Sequence, residues 1–301
     1  MSRERFRAWS TARFAIPLPE GHRFPASKYG MIRDAVLARG LAAIDEPERP
    51  DWSTLGLVHT PRYLAAMRDG SLGAAEVRRL GFPWSHELLE RSLRTVQATV
   101  EAADDALTGG AGLSLAGGTH HAHADFGEGY CCFNDVAAAI RALQRAGRIS
   151  RAVVIDLDVH QGNGTAAIFE GDDSVFTFSM HGARNFPFHK VPGSLDVELE
   201  DGTGDGGYLA LLDRHLGDVL DAAAADIAFY LAGADPFAGD RLGRLTLSID
   251  GLARRDRAVF AACRKRALPV VTVMAGGYAR DLADLVTIHV GTVAELRRAY
   301  G

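Results

Sequence analysis

From about residue 110 onward, short apolar runs rich in β-branched residues alternate with amphipathic stretches. The runs are Leu113 to Ala116, ending at Gly117 and Gly118; Ala152 to Leu157 (AVVIDL); Val175 to Met180; Ile227 to Leu231; and Pro269 to Met274. Several are apolar at odd and even positions alike, the pattern of a strand covered on both faces. Helical periodicity occupies the intervals: Val136 to Ala146, with Asn134 and Asp135 available as caps, then Tyr208 to Ala225 and Leu252 to Ala267. Strands separated by helices read as βαβ units, so the pattern predicts an α/β fold with a mainly parallel sheet and helices on both faces. The first hundred residues read as more helical, with His86 to Leu107 one long amphipathic stretch. No linker, repeat or low-complexity segment interrupts the chain, which predicts a single domain over residues 1–301.

Composition narrows the function classes. The 301 residues are 47% hydrophobic and 24% charged, enough apolar material for a full core. Net charge is −5, from 33 basic and 38 acidic residues without a long run of either sign, so no basic stripe points to nucleic acid. Three cysteines, the adjacent Cys131 and Cys132 plus Cys263, make no disulfide framework and imply a reducing compartment. No apolar stretch is long enough to span a bilayer, and Met1 to Thr11 has arginines but no apolar core of a secretory signal; the expectation is a cytoplasmic protein. No feature sets an oligomeric state.

The chemistry lies where the strands end. Leu113 to Ala116 leads into Gly117-Gly118-Thr119-His120-His121, and AVVIDL into Asp156-Leu157-Asp158-Val159-His160. The Ile227 run ends at Ala234-Asp235, and the Pro269 run at Gly276-Gly277-Tyr278. In open α/β sheets, ligands bind outside the carboxyl ends of the strands. Asp156, Asp158 and His160 have period two, so an extended chain would send them to one face, and two carboxylates with an imidazole suit a divalent cation. Asp235 can arrive from another strand end, while Gly162 and Gly164 allow a sharp turn into the next helix. On its own, D-x-D-x-H fits loop-entry or helix-cap residues equally well, and His-His fits a structural pair. One of two adjacent imidazoles must stay neutral and can act as a general base. A phenol after two glycines, Tyr278, can serve an oxyanion or merely pack. His123 reads as peripheral, Cys131 and Cys132 as small buried residues, and His181 as the close of its run.

These stretches resemble the histone deacetylase superfamily and its arginase–deacetylase fold. The resemblance is carried by GGTHHAHADFGEGYCCFNDVAAAI (117–140), VVIDLDVHQGNGTAAIF (153–169), AGADPFAGDRLGRLTLS (232–248) and VMAGGY (273–278), with HTPRYL (59–64). DLDVHQGNG, DPFAGDRLGRL and VELEDGTGDGGYL (197–209) are most similar to the class IV branch and its bacterial relatives. The resemblance implies that Asp158, His160 and Asp235 bind zinc, with ferrous iron an alternative. It implies His121 as general base, His120 as its partner oriented by Asp156, and Tyr278 as the group polarising the substrate carbonyl. Gly118, Tyr130, Phe186, Gly276 and Gly277 would contact an acyl-lysine. A structural potassium would use Asp156 and main-chain oxygens of Asp158, His160, Ser179 and Met180.

Two departures stand out. Asn163 occupies the place of an aspartate behind the second histidine in many class I members, which should leave His121 less basic. The acidic rim residue of class I enzymes has no counterpart between Gly81 and His86. The expected activity is hydrolysis of acyl-lysine in proteins or peptides, with long acyl chains suggested by the class IV likeness. The alternatives are an acetylpolyamine-type amidohydrolase, an arginase-type dimanganese site, and a non-catalytic acyl-lysine-binding scaffold.

Overall fold

The five apolar runs form the middle of one sheet. In the computed structural model, which describes residues 6–301, the chain order is β1 (Arg7–Trp9), α1 (Lys28–Ala38), β2 (Ala43–Asp45), α2 (Trp52–Leu55), α3 (Pro61–Asp69), α4 (Ala74–Leu80), α5 (His86–Gly109), β3 (Ala111–Ser114) and α6 (Asp135–Arg145). It continues with β4 (Ala152–Asp156), α7 (Asn163–Ile168), β5 (Val175–Gly182), β6 (Leu195–Leu199), α8 (Asp205–Ala223), β7 (Ile227–Leu231), α9 (Ile249–Lys265), β8 (Val270–Val273) and α10 (Leu282–Tyr300). Arg3 and Arg5 of the amino-terminal stretch lie outside the described residues.

Eight strands pair in the order β2-β1-β3-β8-β7-β4-β5-β6, and every pairing is parallel. Alternate side chains of β4 feed two separate cores. Val153 and Ile155 join Tyr230, Val259 and Val290 on the face covered by α8, α9 and α10, whereas Ala152 and Val154 join Ala102, Ala106 and Ile140 under α5 and α6. This two-sided covering is why the runs are apolar at every position. A third cluster, including Tyr63, Met67, Phe82, Leu89 and Phe133, packs α3 and the segment after α4 against α5.

The register places the site. Asp156, Leu231, Val273 and Ser114 are partners in a row across β4, β7, β8 and β3. Four neighbouring strands therefore end level, and their following loops emerge side by side on one edge. Local signals start the helices as expected: Asn134 accepts from the Ala137 amide and Ser85 from Leu88. Helices α8 and α9 begin three residues before the predicted Tyr208 and Leu252. For α9 the cap is Ser248, whose hydroxyl accepts from the Gly251 amide at 2.9 Å. The three-residue strands β1 and β2 carry too little pattern to be predicted, and they place strands within the amino-terminal region read as helical.

Candidate active site

Asp158, His160 and Asp235 meet at the carboxyl edge of β4 and β7. One ligand atom from each lies within 4.8 Å of the others, and all three residues are buried. The strand stops at Asp156, so Asp158 and His160 converge through a bend rather than by strand periodicity. His160 Nδ1 lies 3.0 Å from Asp158 Oδ1 and 3.2 Å from Asp235 Oδ2. Asp235 Oδ1 accepts from the Val159 amide at 2.9 Å, whereas buried Oδ2 has no hydrogen-bond partner. Burial and the charge of Asp158 push the Asp235 carboxyl up to about 7. Burial opposes charge on His160, but the close carboxylates of Asp158 and Asp235 more than offset it and raise the imidazole to about 10. Two buried carboxylates thus demand a positive charge between them, and this donor set of two oxygens and one nitrogen fits a divalent ion with a coordination position left open.

The Gly276-Gly277-Tyr278 loop is tied to this triangle. The Gly276 amide donates to Asp158 Oδ2 at 2.7 Å. A Cβ at Gly276 would lie 2.1 Å from Asp235 Oδ2 and 2.5 Å from Asp158 Oδ2, so only glycine lets the loop approach. Lys28, buried in α1, donates through Nζ to the carbonyls of Ala275 and Gly277 at 3.5 and 3.3 Å and sits over the Tyr278 ring at 5.7 Å. No motif marks this lysine, and it went unpredicted because its partners are main-chain atoms nearly 250 residues away. The glycines of Gly162 and Gly164 serve space rather than a left-handed turn: a Cβ at either would come 2.4 Å from Asp156 Oδ2 or the Ala122 carbonyl, respectively.

His120 and His121 pack with ring centroids 4.2 Å apart and planes tilted by 47°. Their Nδ1 atoms face different partners, Asp156 Oδ2 at 2.6 Å for His120 and Asn163 Oδ1 at 2.7 Å for His121. Burial opposes a charge on His120, yet Asp156 and Asp158 prevail and raise it to about 9. Burial, then the neighbouring His120 and His160, drive His121 well below its ordinary value. His123, although peripheral, takes part behind the pair: Asn163 Nδ2 lies 3.1 Å from its Nε2 and 3.0 Å from Glu128 Oε2.

A cavity of about 600 Å³ opens above these groups, with His120, His121, Asp158, His160, Asp235 and Tyr278 in its wall. Gly118, Tyr130, Phe186 and Gly276 also line it, the Phe186 ring standing edge-on to His121 at 4.9 Å. Gly277 does not: it faces Leu285 and Ala234 on the far side of the loop. Phe24 and Phe82 complete an aromatic wall with Tyr130, their rings 5.6 and 5.2 Å from it. Burial pushes the Tyr278 phenol well above its ordinary value, with nearby Tyr29, Cys131 and the site carboxylates adding to the effect. It stays protonated and can donate.

The remaining candidates lie mostly behind the cavity. Asp156 and Ser179 are register partners on β4 and β5 and line a void of about 10 Å³, whereas Asp158, His160 and Met180 are not in its wall. That is room for about one small ion or water. His181 lies inside β5, fully buried, with Nδ1 2.9 Å from Ser179 Oγ. Cys131, Cys132 and Cys263 are free and buried, and Cys131 and Cys132 lie in the cavity wall. Among the described residues, no helix is long and apolar enough to cross a membrane.

Comparison with known proteins agrees with this architecture. A family model described as "Histone deacetylase domain" matches residues 22–293. An uncharacterized protein of Picosynechococcus sp. is 43% identical over 279 residues, covering 92% of this chain and 93% of that protein. Histone deacetylase 2 of Arabidopsis thaliana is 32% identical over 277 residues, covering 88% of this chain and 72% of the relative. The crystal structure of the HDA15 HD domain superposes with a TM-score of 0.81 at 21% identity, over 97% of this chain and 89% of that one, and shows the shared arginase–deacetylase fold. With a domain match over most of its length and relatives that span it nearly end to end, the chain belongs to the histone deacetylase family of hydrolases.

Proposed function

We propose that residues 1–301 form one catalytic domain, a zinc-dependent deacylase that hydrolyses the amide of acyl-lysine, acetyl or longer, in proteins or peptides. The observation that carries the reading is the buried triangle of Asp158, His160 and Asp235, sharing one cavity with a neutral imidazole and a protonated phenol. These three residues would hold zinc or ferrous iron. Such an ion supplies Lewis acidity and makes water a stronger acid near neutral pH. Asp156, with main-chain oxygens of Asp158, His160, Ser179 and Met180, would hold a potassium behind them.

The protein groups divide the work. His121, kept neutral by burial and its charged neighbours, accepts the proton of the attacking water. The Tyr278 hydroxyl donates to the oxygen that becomes negative as the carbonyl carbon turns tetrahedral. The C–N bond breaks, and the departing amine takes a proton from the histidine pair. His120, charged and held by Asp156, keeps positive potential beside the developing anion. Gly118, Tyr130 and Phe186 enclose the acyl-lysine stem, and a cavity of about 600 Å³ leaves room for acyl chains beyond acetyl.

The test is turnover by metal-defined protein on acetyl-, short-acyl- and long-acyl-lysine peptides alongside acetylpolyamines, with bound metal counted. Hydrolysis of the peptides with one ion per chain supports the reading. Peptide binding without hydrolysis by metal-loaded protein, or turnover confined to polyamines, would overturn it.

A further inference from the structure

The mouth of the cavity is cationic, although the whole chain carries a net charge of −5. Five exposed arginines contribute to its lining: Arg23 before α1, Arg78 and Arg79 in the last turn of α4, Arg184 after β5 and Arg244 after β7. Segments far apart in sequence therefore bring the same charge to one opening. Only two of the five form an ion pair. Arg184 and Arg244 share Asp201, at 3.8 and 3.1 Å, with side chains that remain 79% and 53% exposed. Among the described residues, Arg23, Arg78 and Arg79 make no ion pair. The Arg79 guanidinium instead lies over the Phe126 ring at 4.4 Å, which holds the charge at the rim without neutralising it.

The acidic groups of the same wall do not offset this. Asp158 and Asp235 face each other and His160 inside the triangle, and Glu128 accepts from Asn163. Of these only Glu128, half-buried, brings a carboxylate toward the opening, against five exposed guanidinium groups. Phe188, 81% exposed beside them, offers an apolar surface at the same lip.

We propose that this arginine rim makes the enzyme selective for acyl-lysine set in acidic sequence, so that Asp or Glu residues flanking the acylated lysine engage Arg23, Arg78, Arg79 and Arg184. Basic tails and cationic polyamines meet a repulsive mouth. The proposal rests on the acyl-lysine reading above and names the substrate class within it. Guanidinium groups suit the task because their planar donors pair with carboxylates two bonds at a time. Each exposed pair is worth only about 1.5- to 5-fold in affinity, but several acting together give on the order of tenfold or more.

The experiment compares three fluorescent peptides centred on one acyl-lysine, with acidic, neutral or basic flanks. Anisotropy gives Kd and turnover gives kcat/KM, both with the metal-loaded full chain. The acidic peptide should bind about tenfold more tightly than the neutral one and the basic peptide least, with the spread collapsing at roughly 0.5 M salt. The Arg78→Glu/Arg79→Glu variant should lower the acidic-to-basic ratio of Kd and of kcat/KM by tenfold or more, and Arg23→Glu should move it the same way. These ratios cancel any general loss from altered folding. Equal binding across the series, preference for the basic peptide, or displacement of the acidic peptide by a single-stranded oligonucleotide of equal charge at lower concentration would overturn the proposal. The charge preference is read in binding alone, so flank selectivity without turnover would support the rim while rejecting the hydrolytic reading. Turnover with equal binding of all three flanks would do the reverse.

Discussion

Arg255 is a cation wholly excluded from solvent, and replacing it should loosen the site without touching it. Its Nε and Nη2 donate to Asp256 Oδ1 at 2.9 and 2.8 Å. Its Nη1 donates to the carbonyl of Leu157 at 3.2 Å and of Gly233 at 2.7 Å. Those carbonyls immediately precede Asp158 and Ala234-Asp235, so one side chain in α9 braces both loops that supply candidate metal ligands. Asp256 is further bonded by the hydroxyls of Tyr230 and Thr292. Arg255→Met preserves much of the volume but leaves Asp256 charged and two carbonyls unpaired. Breaking one side of a buried pair costs about 3–5 kcal/mol. In a chain of this size that lowers Tm by roughly 5–8 °C. The slackened loops should also weaken metal binding about 10- to 100-fold, the usual loss when groups that orient ligands are removed. Calorimetry reads the first effect and chelator competition the second. A variant melting within about 2 °C of the parent with unchanged metal affinity would refute the bracing role.

Tyr278→Phe should lower kcat about 10²- to 10³-fold while metal content stays stoichiometric, as measured by steady-state kinetics and metal analysis; undiminished kcat would remove the phenol from the mechanism. His59 donates through Nδ1 to the His123 carbonyl and accepts through Nε2 from the Asn134 amide, both at 3.0 Å, and burial lowers it to about 4. Because the unfolded chain binds that proton near 6.5, stability should fall as pH drops from 6.5 towards 4, by about 3 kcal/mol from this group. Urea unfolding of His59→Asn should show a correspondingly flatter pH dependence, and the same slope as the parent would contradict the assignment. Asn163→Asp should raise His121, so that the acidic limb of the kcat/KM profile moves to higher pH; an unmoved limb would mean that another group sets it.

The sequence showed the strands that carry chemistry most clearly because they are also the most deeply covered. Val153 to Ile155 and Ala228 to Tyr230 are buried on both faces, and a run without polar interruptions is visible without any knowledge of partners. The polar residues just beyond them were legible for the same reason: Asp158 and Asp235 interrupt apolar surroundings where nothing but function calls for a charge. Contacts made through the main chain left no such trace. Lys28 reaches the carbonyls beneath Tyr278, and Arg255 those beside Asp158 and Asp235; neither belongs to a recognisable pattern. The arginine rim was hidden too, since its members are scattered between residues 23 and 244 and dilute into a mildly acidic total. The family likeness anticipated a missing acidic grip near Gly81. The structure adds that arginines gather around that opening.

Two adjacent histidines acquire different duties from residues 36 and 42 positions further on. The orientation of Asn163 decides the second of them. Its Nδ2 donates to the Glu128 carboxylate, which can only accept, so its Oδ1 must be the atom that faces His121. An amide oxygen also only accepts, which places the His121 proton on Nδ1 and leaves a lone pair on Nε2. His120, against a carboxylate, can instead keep both nitrogens protonated. With the rings 4.2 Å apart, a charge on one opposes a charge on the other. The pair therefore holds one proton to spare and one vacant base, and the choice between them is made by an amide where an acid could have stood. Glu128, with His123 beside it, keeps the amide from turning over, which makes residues outside the histidine pair part of what keeps His121 a base.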